Sequence, residues 1–211
     1  MSQARRSSAR AQWRAGWWQP ACVVASPNFG ARPLNVLPSL VVVHSISLPP
    51  GHYRGEAVLH LFTNTLDHAA HPYYAGLRGL QVSAHFFIRR GGQIVQFVSC
   101  DARAWHAGQS SWRGRANCND YTIGIELEGL EGGRFEAAQY RALTRLLQAC
   151  RLAYPSLQEV AGHEHVAPGR KADPGAGFDW ARLARGLRST NICVTPHEPE
   201  LRLAQDNRVS L

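Results

Sequence analysis

Two hydrophobic rhythms alternate along this chain. Residues 39 to 46, SLVVVHSI, form a continuous β-branched run of the kind a strand buried on both faces requires, with His44 near its C-terminal end. Residues 56 to 66, EAVLHLFTNTL, fit a short helix. SAHFFIRR and QIVQFV flank Gly91 and Gly92, and a glycine pair able to supply positive φ predicts a hairpin there. In YTIGIELEG, residues 121 to 129, Ile123, Ile125 and Leu127 point to one side and Thr122, Gly124, Glu126 and Glu128 to the other, so two carboxylates share a face. Residues 136 to 154 carry Tyr140, Leu143, Leu147 and Cys150 on one stripe before Pro155 stops the helix. A last short helix begins near Asp179, a candidate N-cap, and turns Trp180, Leu183 and Leu187 to one side.

Strands interspersed with helices and one hairpin predict an α/β (α+β) fold, a single domain with a central mixed β-sheet flanked by helices. The length of 211 residues agrees, since ~150 residues per domain is a soft guide. Residues 34–189 are read as the domain, 1–33 as a basic, loosely ordered lead-in rich in Arg and Trp, and 190–211 as a polar tail. No internal repeat is visible.

The formal net charge of +8 suits an anionic partner. Much of it, however, sits in MSQARRSSARAQWR and ARLARGLR, and no nucleic-acid motif accompanies it, so no nucleic-acid partner is expected. The apolar run after Arg5, Arg6 and Arg10 is ACVVA, residues 21 to 25, shorter than a secretory core of ~7–15 residues. No run nears the ~18 apolar residues that span a bilayer. A cytoplasmic protein with no membrane partner and no obligate protein partner is therefore expected. Cys22, Cys100, Cys118, Cys150 and Cys193 are widely spaced and form no CxxC pair, which predicts buried small side chains rather than disulfides or zinc ligands.

The densest chemistry lies in GHEHVAPGRKADPG, residues 162 to 175. Two histidines, a glutamate, a lysine and an aspartate interleaved with Gly and Pro do not make an amphipathic helix, and such irregular segments on a rigid scaffold are where reacting side chains concentrate. His44 and this loop both belong at the carboxyl edge of a sheet, where open α/β folds bind ligands. A catalytic zinc takes three protein ligands and leaves a fourth position for water. His44 and His163 are candidates for two of them, with Asp173 or His165 as the third; an extended His163-Glu164-His165 segment would put both imidazoles on one face. Spacing alone does not choose between them.

Four stretches together, VVVHSISLPPG, HPYYAGLRGLQVSAHFFIRRGGQIVQFV, RAWHAGQSSWRGRANCNDYTIGIELEG and GHEHVAPGRKADPG, resemble the type 2 N-acetylmuramoyl-L-alanine amidase superfamily, which also contains peptidoglycan recognition proteins. Within it the likeness is to the cytosolic amidases of cell-wall recycling, over roughly residues 35 to 188. The resemblance implies a zinc (Zn2+) enzyme that cuts the amide between the lactyl group of anhydro-N-acetylmuramic acid and L-alanine, with an anhydro-muropeptide as its substrate. It puts the metal ligands on His44, His163 and Asp173, the proton-transferring glutamate on Glu126 and an oxyanion-stabilising lysine on Lys171. His165 becomes a bystander.

Substrate contacts are expected at Ser45, Trp105, His106, Asn117, Ala167 and Arg170. Two of these depart from the family, which often has Asn where Ser45 stands and a basic residue where Asn117 stands. Trp105 and His106 are expected to wall the cleft, a flat ring suiting a sugar face. Glu128 points to the same side as Glu126, but a Glu near a strand end is ordinarily solvated. Two other functions share these motifs: an amidase acting on intact peptidoglycan, and a non-catalytic peptidoglycan-binding module. A complete ligand set with Glu126 and Lys171 argues against the second, and the lack of an export signal against the first.

Overall fold

A computed structural model describes residues 12–195. Its centre is a seven-stranded sheet of β1 (Cys22–Val23), β2 (Leu40–Ile46), β3 (Phe86–Ile88), β4 (Ile94–Gln96), β5 (Thr122–Glu128), β6 (Glu159–Gly162) and β7 (Cys193–Val194). Their order is β7-β6-β2-β5-β3-β4-β1; β3 and β4 pair antiparallel and every other neighbouring pair is parallel. Among the described residues five α-helices accompany it: α1 (Ala57–Phe62), α2 (Pro72–Ala75), α3 (Ala137–Ala153), α4 (His163–Val166) and α5 (Trp180–Leu187). This is the mixed sheet with flanking helices that the sequence predicts.

Alternation along the strands separates a packing face from a chemical one. Val41, Val43, Phe86, Ile88, Ile123, Ile125 and Leu127 point to one side and meet Leu143, Leu146, Leu147 and Cys150 of α3 and Leu183 and Leu187 of α5. Burial of each such side chain stabilises the fold by about 1.5–3 kcal/mol. The opposite face of β2 and β5 carries His44, Thr122, Gly124 and Glu126, and the sheet is closed on that side only in part. Helix α3 starts where Gln139 Oε1 accepts the Glu136 N–H at 2.9 Å, and α5 where Asp179 Oδ1 accepts the Arg182 N–H at 2.7 Å. The β3–β4 hairpin turns through Gly92 at φ 86°, a conformation in which a Cβ is disfavoured.

Three expectations change. Residues 12–33 are not loose: Trp18 is 1% exposed, its backbone N–H donates to Gln96 Oε1, and β1 extends the sheet. Arg32 is held inside the fold because its guanidinium donates to the carbonyls of Cys100, Asp120 and Thr122. Residues 1–11 and 196–211 of the expected lead-in and tail lie outside the described residues, while 193–194 pair with β6. Cys100, Cys118 and Cys150 are buried as expected, but Cys22 is exposed and Cys193 intermediate. Glu128 is 3% exposed rather than solvated, because its carboxylate accepts the backbone N–H groups of Arg54 and Arg90 and fastens the segment after His44 to the sheet.

Candidate active site

Parallel register brings the chemistry together. His44 on β2 is the lateral partner of Glu126 on β5, and Val43 is the partner of Gly162 on β6, so His163 begins α4 one step beyond the strand and beside His44. Asp173 returns to this edge because its carbonyl accepts the Glu164 N–H at 2.9 Å. His44, His163 and Asp173 are all buried, and among the described residues they are the group of side chains able to hold a metal ion.

Their donor atoms converge tightly. His44 Nδ1 lies 2.9 Å from His163 Nδ1 and 3.3 Å from Asp173 Oδ2, and His163 Nδ1 lies 3.1 Å from Asp173 Oδ1. Ligands about 2.05 Å from a tetrahedral zinc would stand about 3.3 Å apart, so the spacing is close to the edges of such a site. His163 Nε2 lies 3.2 Å from the Ala107 carbonyl and donates to it, which leaves His163 Nδ1 as a bare lone pair facing the other two donors. Two imidazole nitrogens and a carboxylate at this range repel unless a cation lies among them. A His2Asp set with an open side is the donor chemistry of a catalytic zinc.

Electrostatics of the protein alone point the same way. Burial, then the neighbouring His163, lowers the His44 pKa to about 4, which keeps its imidazole neutral and ligand-ready. Burial works against ionisation of Asp173, but the close approach of His163 and His44 outweighs it and holds the carboxyl well below its usual range. Glu126 goes the other way: burial first and Asp173 second raise its pKa, against the pull of Lys171. Its Oε2 is buried without a hydrogen-bond partner, as befits a group whose partner comes with the reaction.

A cleft of about 650 Å³ opens over these groups. Ser45, Trp105, His106, Arg170 and Lys171 line it together with the three candidate ligands and Glu126, while Leu61, Phe62, Leu77 and Val82 make one wall apolar. Asn117 and Ala167 are not among its lining residues. Asn117 sits at φ 56°, where asparagine is tolerated, with its N–H on the Ser110 carbonyl, and Ala167 is 5% exposed behind α4. His165 does not join the ligands: α4 is helical rather than extended, so His165 turns back and its Nδ1 accepts the Gly162 N–H at 2.8 Å. Asn119 was not singled out by the sequence, yet its Oδ1 accepts the N–H groups of His106 and Ala107 and holds the cleft's floor.

A parallel sheet edge bearing a His2Asp donor set beside a buried carboxyl, under a long cleft, is the architecture of a metal-assisted hydrolase. The chain belongs to the N-acetylmuramoyl-L-alanine amidase family, whose sequence profile matches residues 34–176, and it is accordingly a hydrolase of an amide bond. It is 52% identical over 169 residues to the 1,6-anhydro-N-acetylmuramyl-L-alanine amidase AmpD of Citrobacter freundii, covering 80% of this chain and 90% of that protein. The crystal structure of a selenomethionine AmpD derivative superposes with a TM-score of 0.80 at 50% identity, covering 82% of this chain and 97% of that one. The Escherichia coli amidase AmiD in complex with anhydro-N-acetylmuramic acid-L-Ala-D-γ-Glu-L-Lys superposes with a TM-score of 0.53 at 28% identity, over 82% of this chain and 65% of that one.

Proposed function

We propose that this protein is a zinc amidase of cytoplasmic cell-wall recycling. It hydrolyses the amide between the lactyl group of anhydro-N-acetylmuramic acid and L-alanine in soluble muropeptides. The observation that carries the reading is the convergence of His44, His163 and Asp173 on one point beside the unpartnered carboxyl oxygen of Glu126. Identity near 50% to AmpD proteins over most of both chains supports the choice of substrate.

His44, His163 and Asp173 would hold the ion. Bound there, zinc would polarise the scissile carbonyl and lower the pKa of water toward ~7. Glu126 takes the proton from the attacking water, its raised affinity for protons suiting it to carry that proton and give it to the departing alanine amine. Lys171 lines the same cleft, and its ammonium would stabilise the negative charge that appears on the carbonyl oxygen in the tetrahedral state. Trp105 and the apolar wall would present flat and aliphatic surface to the sugar, with Arg170 as a polar contact; Ser45 also lines the cleft, but its Oγ is buried without a hydrogen-bond partner.

The test is a comparison of substrates. An anhydro-muropeptide should be cleaved much faster than intact sacculi, with release of a peptide bearing a free L-alanine amine detected by mass spectrometry. Comparable rates on sacculi would instead favour an amidase of the wall itself, and binding without cleavage of either would favour a recognition module.

A further inference from the structure

The cleft wall at His106 offers a substrate no ring nitrogen. His106 Nδ1 lies 2.9 Å from His44 Nε2, and its Nε2 lies 3.0 Å from Thr122 Oγ1, which lies 2.7 Å from the Cys118 carbonyl. The directions of these bonds are forced from the far end. A carbonyl only accepts, so the Thr122 hydroxyl spends its proton on Cys118 and must itself accept from His106. In a neutral ring that places the proton on His106 Nε2 and leaves Nδ1 bare. His44 Nε2 must then carry a proton and donate, and His44 Nδ1 is left as a lone pair. Nδ1 is the atom that faces His163 and Asp173.

Independent features fix the ring in this place. The rings of His44 and His106 meet edge-on at 5.1 Å and 88°. Asn119 Oδ1 accepts both the His106 and the Ala107 N–H, at 3.1 and 2.8 Å, which fixes the backbone beneath the ring. Gly124 supplies the space: a Cβ there would stand 2.4 Å from His106 Cγ. Any other residue on that face of β5 would push the imidazole off its line to His44.

We propose that His106 is a positioning residue that, through Thr122 and the Cys118 carbonyl, locks His44 in the tautomer presenting Nδ1 to the metal. Partners outside the ligand set commonly fix ring orientation and basicity in this way. The inference rests on the reading of His44 as a ligand. It assigns His106 to the metal rather than to the sugar.

The experiment measures zinc affinity by competition with a chromophoric chelator for wild type, Thr122→Val, His106→Ala, His106→Asn and the Thr122→Val/His106→Ala pair. His106→Ala should bind zinc about 10–100-fold more weakly. His106→Asn, whose Oδ1 can take the place of Nδ1 as acceptor, should recover part of that loss. Thr122→Val should weaken binding less and add nothing to His106→Ala. On chelator-treated protein, ¹⁵N NMR of the imidazoles should find His44 protonated at Nε2 in wild type and a tautomer mixture in Thr122→Val, a readout that stands even where His106→Ala fails to fold. Unchanged zinc affinity in a folded His106→Ala protein, or a wild-type His44 protonated at Nδ1, would overturn the proposal. A wild type that binds no zinc is a different result, which removes the ligand reading itself and leaves the tautomer measurement to judge the hydrogen-bond chain.

Discussion

His85 offers a quantitative check on how the sheet beneath the site is held. It is fully buried, its Nδ1 accepts the Gly124 N–H at 3.0 Å, and its Nε2 donates to the Ala102 carbonyl at 3.1 Å. A second proton would have to go on Nδ1, against an N–H, in a ring whose Nε2 lies 3.2 Å from the Arg32 guanidinium. Burial first, and Arg32 second, lower its pKa from 6.5 to about 3. An ordinary histidine in the unfolded chain still takes a proton near pH 6.5, so below that pH the unfolded state holds one more proton than the folded one. Stability from this group is therefore present above pH 6.5 and is lost as pH falls toward 3, at about 1.4 kcal/mol per pH unit. His85→Asn can keep an acceptor for Gly124 and removes the titration. Urea unfolding of both proteins at pH 7, 6, 5 and 4.5 should show the wild type's advantage shrinking by about 2–3 kcal/mol over that range. A difference between the two that stays constant with pH would refute the reasoning, because it would mean that His85 takes its proton without unfolding.

Glu126→Ala should retain zinc and substrate binding while the hydrolysis rate falls by about 10²–10⁴, checked by steady-state kinetics alongside metal analysis. Lys171→Ala should lower kcat by about 10²–10³ with little change in KM, because charge on the carbonyl oxygen appears only in the transition state; a near-normal kcat would return that lysine to the surface. Glu128→Ala leaves the backbone N–H groups of Arg54 and Arg90 without their acceptor and should cost about 1–3 kcal/mol, with faster proteolysis in the segment 47–55 as the local readout.

Regular elements were legible in the sequence wherever a single rhythm governed them. β2, the β3–β4 hairpin, β5 and α3 all stand where runs, alternation and the 3.6-residue stripe put them. β6 was missed because four residues, EVAG, give alternation too little length to register and a polar stretch follows directly. Residues 12–33 were misread because Arg and Trp imply an exposed, loose segment; Trp18 is buried and Arg32 is held half-buried by partners, Gln96 and a set of carbonyls, that lie 68 or more positions away. Glu128 was misjudged for the same reason, since its acceptors' duty to two loop N–H groups has no local signature. As for the site, the polar crowd of residues 162 to 175 was visible, but the choice of Asp173 over His165 came from resemblance and not from spacing. The structure supplies the physical reason: parallel register sets His44 beside His163, and the turn of α4 swings His165 away from both.

Metal content, measured on purified wild type, His44→Ala, Asp173→Asn and His165→Ala, tests the assignment of His44, His163 and Asp173 as zinc ligands. Wild type should carry about one zinc per chain, His165→Ala should retain it, and His44→Ala and Asp173→Asn should lose it together with amidase activity. Zinc retained without His44 but lost without His165 would contradict that assignment, and would move the metal to the His163-Glu164-His165 segment.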